Sequence, residues 1–225
     1  MEISVGGVVL MLSKEILVQR IAEAIKIGSG RRFKQSVELV VVFKGIDPKS
    51  PKARFRDAVY LPKGLGKSSY ICVVADGDTL IRARNAGVDL AISREELQKL
   101  SKKQAKAIAS KCDWILVRTD LMGLAGRILG PALGPRGKAP TPLDVNADIA
   151  SLVKYYRSVT RLRNKEQPFV SGIIGREDMN PEDLAENALA VLGFIENKLE
   201  EPLSVAVKKI IVKTTMGVPV EVPVQ

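Results

Sequence analysis

Residues 64–69, Gly-Leu-Gly-Lys-Ser-Ser, hold the ingredients of a phosphate cradle: glycines that let backbone N–H groups approach an anion, then a lysine and a hydroxyl. A P-loop, however, needs a glycine, four residues and Gly-Lys-Ser/Thr, set between a strand and the helix that follows it. Counting back five positions from Gly66 reaches Leu61, and Ser69 stands where a dinucleotide fingerprint would end in glycine. The stretch also precedes an apolar run, "YICVVAD", instead of following one. It reads as a crossover between two structural units, and a nucleotide-dependent enzyme is the rival reading. Gly137-Lys138 fails the same test, with Ala139 after it and Ala132 at the first glycine position. Asp76, Asp78 and Asp120 fall near predicted strand ends, where α/β folds place ligands. General acid–base chemistry without histidine needs paired carboxylates, and each of the three reads as a cap or turn residue. With no histidine and two cysteines a zinc site is excluded. The chain carries no catalytic constellation and calls for no cofactor or metal.

The cations are more informative. Lys and Arg total 35 against 25 acids, a formal charge of +10, which points to a polyanionic partner. Three runs contain no acid: "RRFK" at 31–34; 49–56 with Lys49, Lys52, Arg54 and Arg56; and 154–165 with Lys154, Arg157, Arg161, Arg163 and Lys165. Phe33 interrupts the first, and an aromatic among cations suits nucleic acid, because cations meet phosphates while a ring stacks on a base. No apolar run reaches the 18–20 residues of a membrane span. Residues 1–12 fit no element, and "VGGVVLML" lacks the basic lead of a signal peptide. A reducing cytoplasm is expected, with Cys72 and Cys112 as small buried hydrophobes and not a disulfide.

The elements that must carry these residues follow from periodicity. After Ser13, residues Ile16, Leu17, Ile21, Ala24 and Ile25 predict a helix capped by Gly28 or Gly30. "SVELVVVF" (36–43) predicts a buried strand, 44–56 a loop, and "DAVYL" (57–61) a second strand. From Tyr70, strands "YICVVA", "VDLAI" and "DWILV" alternate with helices. The first helix is N-capped by Asp78 and stopped by Gly87, the second opens on a Ser93/Glu96 capping box, and the third lies near 120–129. That alternation predicts a parallel sheet covered on both faces. Residues 126–142, with four glycines and four prolines, read as a long basic loop with a contact role. Beyond Tyr156 come a strand with an exposed basic face (157–163), another at 169–175, and a helix from Asn180-Pro181 to Leu199. A long strand (204–215) and an edge segment, "VPVEVPV", close the chain. The expected fold class is therefore α+β with an α/β insert. A discontinuous domain is built from 1–65 and 157–225, and 66–156 form the inserted domain.

"KTTMG" (213–217), "RRFKQSVEL" (31–39) and "GRILGPALGPRGKAPTP" followed by "NADI" together resemble the large-subunit ribosomal protein L-one family, in its archaeal branch. The likeness runs from about Ser13 to Val220. It implies an α+β sandwich holding the main RNA site and a Rossmann-like, three-layer insert on a double hinge. It also implies a non-enzymatic, ribosome-bound cytoplasmic protein, monomeric when free, in the mobile stalk near the tRNA exit. Its partners would be large-subunit ribosomal RNA, exit-site tRNA and its own mRNA, whose translation it would repress; a membrane would not be among them. The site would comprise Arg32, Phe33 and Ser36, the Thr214-Thr215-Met216-Gly217 turn at its centre, and Arg163 and Lys165 at its flank. Physically, threonine hydroxyls can exchange hydrogen bonds with ribose 2′-OH groups, Gly217 admits RNA to the backbone, and Met216 offers a soft apolar face.

Overall fold

The computed structural model describes residues 13–47, 50–164 and 166–223. Lys49, Lys165 and the readings made for residues 1–12 lie outside them. The chain divides into two compact units, Met1–Lys67 with Val159–Gln225, and Ser68–Ser158.

The first unit opens with α1 (Lys14–Gly28), whose Ser13 hydroxyl accepts from the Ile16 N–H at 3.2 Å. Leu17, Ile21, Ala24 and Gly28 form its buried stripe. Ser29, not Gly28 or Gly30, caps its C-terminus, through backbone and hydroxyl bonds to Lys26 O. Strands β1 (Ser36–Phe43) and β2 (Arg56–Tyr60) follow. Only alternate residues of β1 (Val37, Leu39, Val41 and Phe43) are buried, because helices cover one face of the sheet and not both.

The second unit holds β3 (Ile71–Val74), α2 (Asp78–Asn85), β4 (Leu90–Ile92), α3 (Arg94–Gln98), α4 (Lys102–Lys111), β5 (Trp114–Arg118), α5 (Met122–Leu133), β6 (Thr141–Leu143) and α6 (Ile149–Arg157). Its strands run parallel in the order β4-β3-β5-β6. α2 and α6 pack on β3, while α3 and α4 pack on α5. Three sequence expectations need correcting here. Gly77, at φ +58°, precedes α2 as its cap; Asp78 is the first helical residue and pairs with Arg82 at 2.9 Å. Residues 126–133 are helix, not loop. Ala125, Leu129, Ala132 and Leu133 bury one stripe of α5, and that burial outweighs the glycines and Pro131. Lys138 then folds back, its Nζ donating to the carbonyls of Ala109, Ser110 and Cys112 at the end of α4. Finally, Cys72 and Cys112 are buried as expected but bonded to each other, their Cα atoms 5.8 Å apart. Adjacency of β3 and β5 brings the sulfurs together across 40 residues of sequence.

The chain re-enters the first unit through β7 (Val159–Arg163) and β8 (Phe169–Arg176), then α7 (Pro181–Leu199), α8 (Leu203–Ala206), β9 (Val207–Thr214) and β10 (Val220–Val222). The expected long strand from 204 thus starts three residues late, after the short turn of α8. Arg157 belongs to α6, and Arg161 and Arg163 are only half exposed on β7. The six strands run β10-β9-β1-β8-β7-β2, antiparallel throughout, with β10 at an edge. Leu184, Ala188, Val191, Leu192 and Ile195 of α7 join the α1 stripe over the buried face.

Candidate RNA-binding surface

The start of β1 meets the ends of β8 and β9, with Ser36 opposite Arg176 and Val37 opposite Thr214. Beyond β9 the chain turns over Thr214–Gly217, closed by the Gly217 N–H donating to Thr214 O at 3.0 Å. Thr215 latches this turn to β1: its N–H donates to Ser36 O at 3.0 Å, and its hydroxyl accepts from the Ser36 N–H at 3.2 Å. The same hydroxyl lies 3.3 Å from Ser36 O, so one acceptor lone pair remains for an outside donor. Met216 N–H donates to Gln35 Oε1 at 2.9 Å, and Lys213 Nζ donates to Thr215 O at 3.0 Å.

Behind the turn Thr214 is fully buried, its hydroxyl wedged between two glycines. A Cβ added to Gly28 would lie 2.0 Å from Thr214 Oγ1, and one on Gly217 would lie 2.3 Å from it. The end of α1 therefore packs against the turn at a distance only glycine permits. Thr214 builds the site without facing a ligand.

In front, the surface is apolar and cationic together. Phe33 is 53 % exposed and Met216 59 %. Arg31, Arg32 and Lys34 are exposed beside them, and an Arg31 guanidinium nitrogen lies 3.5 Å from Met216 O. Lys34 pairs with Asp178 at 2.6 Å, and that hydrogen bond holds the Asp178 carboxyl below its ordinary pKa. Arg32 has no ion-pair partner among the described residues. An exposed aromatic ring, and a thioether on a turn held by hydrogen bonds, within a rim of cations, match unstacked bases on a phosphate chain.

Of the residues singled out from sequence, Arg32, Phe33, Ser36, Thr215, Met216 and Gly217 come together here. Arg163 does not. It pairs with Ser171, which pairs with Val40, four residues along β1 from Ser36, or about 13 Å. Lys165 lies outside the described residues. The sequence reading missed Gln35, Glu177 and Gly28. For Gln35 a signal was present: it shares the inward register of Val37 and Leu39, so a polar side chain occupies a core position.

The Gly-Leu-Gly-Lys stretch has another function. Gly64 and Gly66 both have positive φ, and Leu65 between them is buried in the first unit's core. Asn187, fully buried on α7, donates to Gly64 O at 2.8 Å and accepts from the Lys63 N–H at 2.9 Å. No helix starts after the loop; β3 does. Of the carboxylates near the strand ends, those of Asp78 and Asp120 are engaged in ion pairs, and Asp76 is held through its main-chain carbonyl. Arg118 grips Asp120 through two 2.6 Å bonds, which lower the Asp120 pKa, and donates to Asp76 O at 2.7 Å.

An α+β unit interrupted in sequence by a parallel α/β unit is the architecture that carries this surface, and comparison with known proteins places the chain. Residues 24–218 match the model of the ribosomal protein L1p/L10e family, and the chain belongs to that family. Similar chains include the large ribosomal subunit protein uL1 of Staphylothermus marinus, 55 % identical over 210 residues that cover 93 % of this chain and 97 % of that one. Those of Aeropyrum pernix (52 % identical; 94 % and 99 % covered) and Sulfolobus acidocaldarius (44 %; 95 % and 97 %) follow.

Proposed function

We propose that this chain is a structural constituent of the large ribosomal subunit. It binds ribosomal RNA through Arg32, Phe33, Ser36, Thr215, Met216 and Gly217, with Arg31 and Lys34 adding charge. One observation carries the assignment of the surface: Phe33 and Met216 are more than half exposed, yet the Met216 backbone is held by the Gln35 side chain and Phe33 lies two residues before Gln35, whose own backbone is bonded to Glu177. Exposed apolar groups on a mobile loop would be incidental; on a fixed one they form a template. Family membership supports a place in the mobile stalk near the tRNA exit, contact with exit-site tRNA, and repression of translation by binding its own mRNA. The protein acts by binding and not by catalysis, free as a monomer and ribosome-bound in the cytoplasm.

The test separates the two units. Each has its own apolar core, so Lys67 joined to Val159 by a short Gly/Ser linker gives a foldable fragment. Residues 68–158 give the other, and each carries a net +5, with 14 basic and 9 acidic residues in the α/β unit. Equal charge makes the comparison one of shape. The joined fragment is expected to keep most of the affinity for large-subunit ribosomal RNA and most of the preference over bulk tRNA at one fixed salt. The α/β fragment is expected to bind weakly and without preference. Selective binding by the α/β fragment alone would assign the site to the wrong unit. ATP or GTP binding by the whole chain would revive the enzymatic alternative.

A further inference from the structure

We infer that Gln35, which faces the interior, is a positioning residue for RNA recognition, fixing the Met216 turn in its binding conformation. The inference rests on the RNA-binding surface proposed above and extends it to a side chain that RNA does not touch. Gln35 is fully buried in the register of the core residues Val37 and Leu39. A buried amide is costly unless its donors and acceptor are all satisfied, and here they are. Nε2 donates to Gly28 O at 2.7 Å and to Glu177 Oε2 at 2.9 Å, and Oε1 accepts from the Met216 N–H at 2.9 Å. The backbone completes the node: Gln35 N–H donates to Glu177 Oε1 at 2.9 Å, and Glu177 N–H donates to Gln35 O at 3.1 Å.

One side chain therefore joins the end of α1, the segment after β8 and the turn after β9. The chemistry demanded is specific. Gly28 O and the Glu177 carboxylate can only accept, while the Met216 N–H can only donate, so the node needs donor and acceptor on one neutral head. A glutamate would turn a carboxylate toward Glu177 and leave Gly28 O unpaired; an apolar residue would leave Gly28 O and the Met216 N–H unpaired and Glu177 with only the backbone N–H of residue 35. With its N–H held inward by Gln35, Met216 directs its side chain outward, where it is 59 % exposed. Thr214, wedged between Gly28 and Gly217, closes the turn from behind. The RNA then meets a turn already ordered and does not bear the entropic cost of ordering it.

The test uses the full chain, deproteinised large-subunit ribosomal RNA and three variants. Gln35→Met keeps side-chain length and removes the polar head. Glu177→Gln leaves Gln35 its bonds to Gly28 and Met216, and serves as the milder arm should Gln35→Met fail to fold. Met216→Ala reports whether the surface binds RNA at all. For Gln35→Met, hydrogen exchange at the Met216 amide should accelerate about tenfold or more, and Kd should rise about tenfold. The slope of log Kd against log salt should stay at its wild-type value, since no cation is lost. Glu177→Gln should move exchange and Kd the same way by about two- to threefold. Wild-type exchange at Met216 in a folded variant overturns the inference. So does faster exchange with unchanged Kd when Met216→Ala does weaken binding. If Met216→Ala leaves Kd unchanged too, the surface itself is misassigned and the inference falls with it.

Discussion

Reduction of the Cys72–Cys112 bond should destabilise the α/β unit and leave the antiparallel unit as it was. The bond closes a loop of 40 residues, and the loop-closure entropy it removes from the unfolded chain corresponds to about 4 kcal/mol. Domains of this size are stable by about 5–15 kcal/mol, so the effect is a large share of the total. At about 1–2 kcal/mol per molar urea, the unfolding midpoint should fall by about 2–4 M. The reporter is built in. Trp114, the chain's single tryptophan, is buried on β5 with its ring 4.9 Å from that of Tyr156, so its fluorescence follows the α/β unit alone. Both sulfurs are fully buried, so the protein should be unfolded, reduced and refolded under reductant before titration. Reduction keeps both side chains in place, which separates loss of the cross-link from loss of packing. Two titratable thiols in the unreduced, unfolded protein would refute the bond. An unchanged Trp114 midpoint after proven reduction would refute the loop-entropy reasoning.

Thr215→Val should weaken RNA binding by about 1–3 kcal/mol, while Lys102→Ala on the exposed side of α4 should change it little; equal effects in folded proteins would show the site is elsewhere. RNA affinity should fall with salt at about 0.7–0.9 log units per phosphate contact. Three to five contacts from the 31–34 cluster and its neighbours give a slope of about 2–5, and a flat response would remove the electrostatic part of the reading. The pH profile of RNA affinity should show no side-chain titration from about 6 to 8.5, because the chain has no histidine and its two cysteines are bonded. Asp178, Glu186 and Glu200 are all held below their ordinary pKa by lysine partners. The stability they add is present above the usual carboxylate range near pH 4 and is lost as pH falls through their lower folded values. A midpoint between pH 6 and 8 in an affinity titration would contradict this.

Helices and strands with strong periodicity were readable from sequence. Ser36–Phe43, Pro181–Leu199 and the Ser93/Glu96 capping box all stand where pattern and cap chemistry put them. What pattern could not supply is tertiary. The helix expected near 120–129 is present as the start of α5, but its second half looked like a loop because glycine and proline signal locally, whereas the burial of Leu129 and Leu133 that keeps it helical depends on neighbours distant in sequence. The cysteine pair was hidden for the same reason: its proximity exists only once β3 and β5 lie side by side. The candidate surface was legible in its exposed half, where Arg32, Phe33, Ser36, Thr215, Met216 and Gly217 do lie together. Its buried half was not, beyond the polar Gln35 in a core register, because Gly28 and Glu177 lie 7 and 142 residues from Gln35 and mean nothing until the three meet.

The pairing of β1 sets a timetable for biosynthesis. β1 has β8 on one side and β9 on the other, and both are translated more than 120 residues after it. At about 5–20 residues per second, β1 waits on the order of ten to thirty seconds for β9. During that time "SVELVVVF" is an unpaired apolar strand, the kind of segment that recruits other chains. The α/β unit, contiguous in sequence, can fold meanwhile. The turn at 214–217 follows β9, so the surface proposed above cannot assemble before β9 has been made. On the reading proposed above, a nascent chain that stops short of β9 has no such surface to offer to RNA.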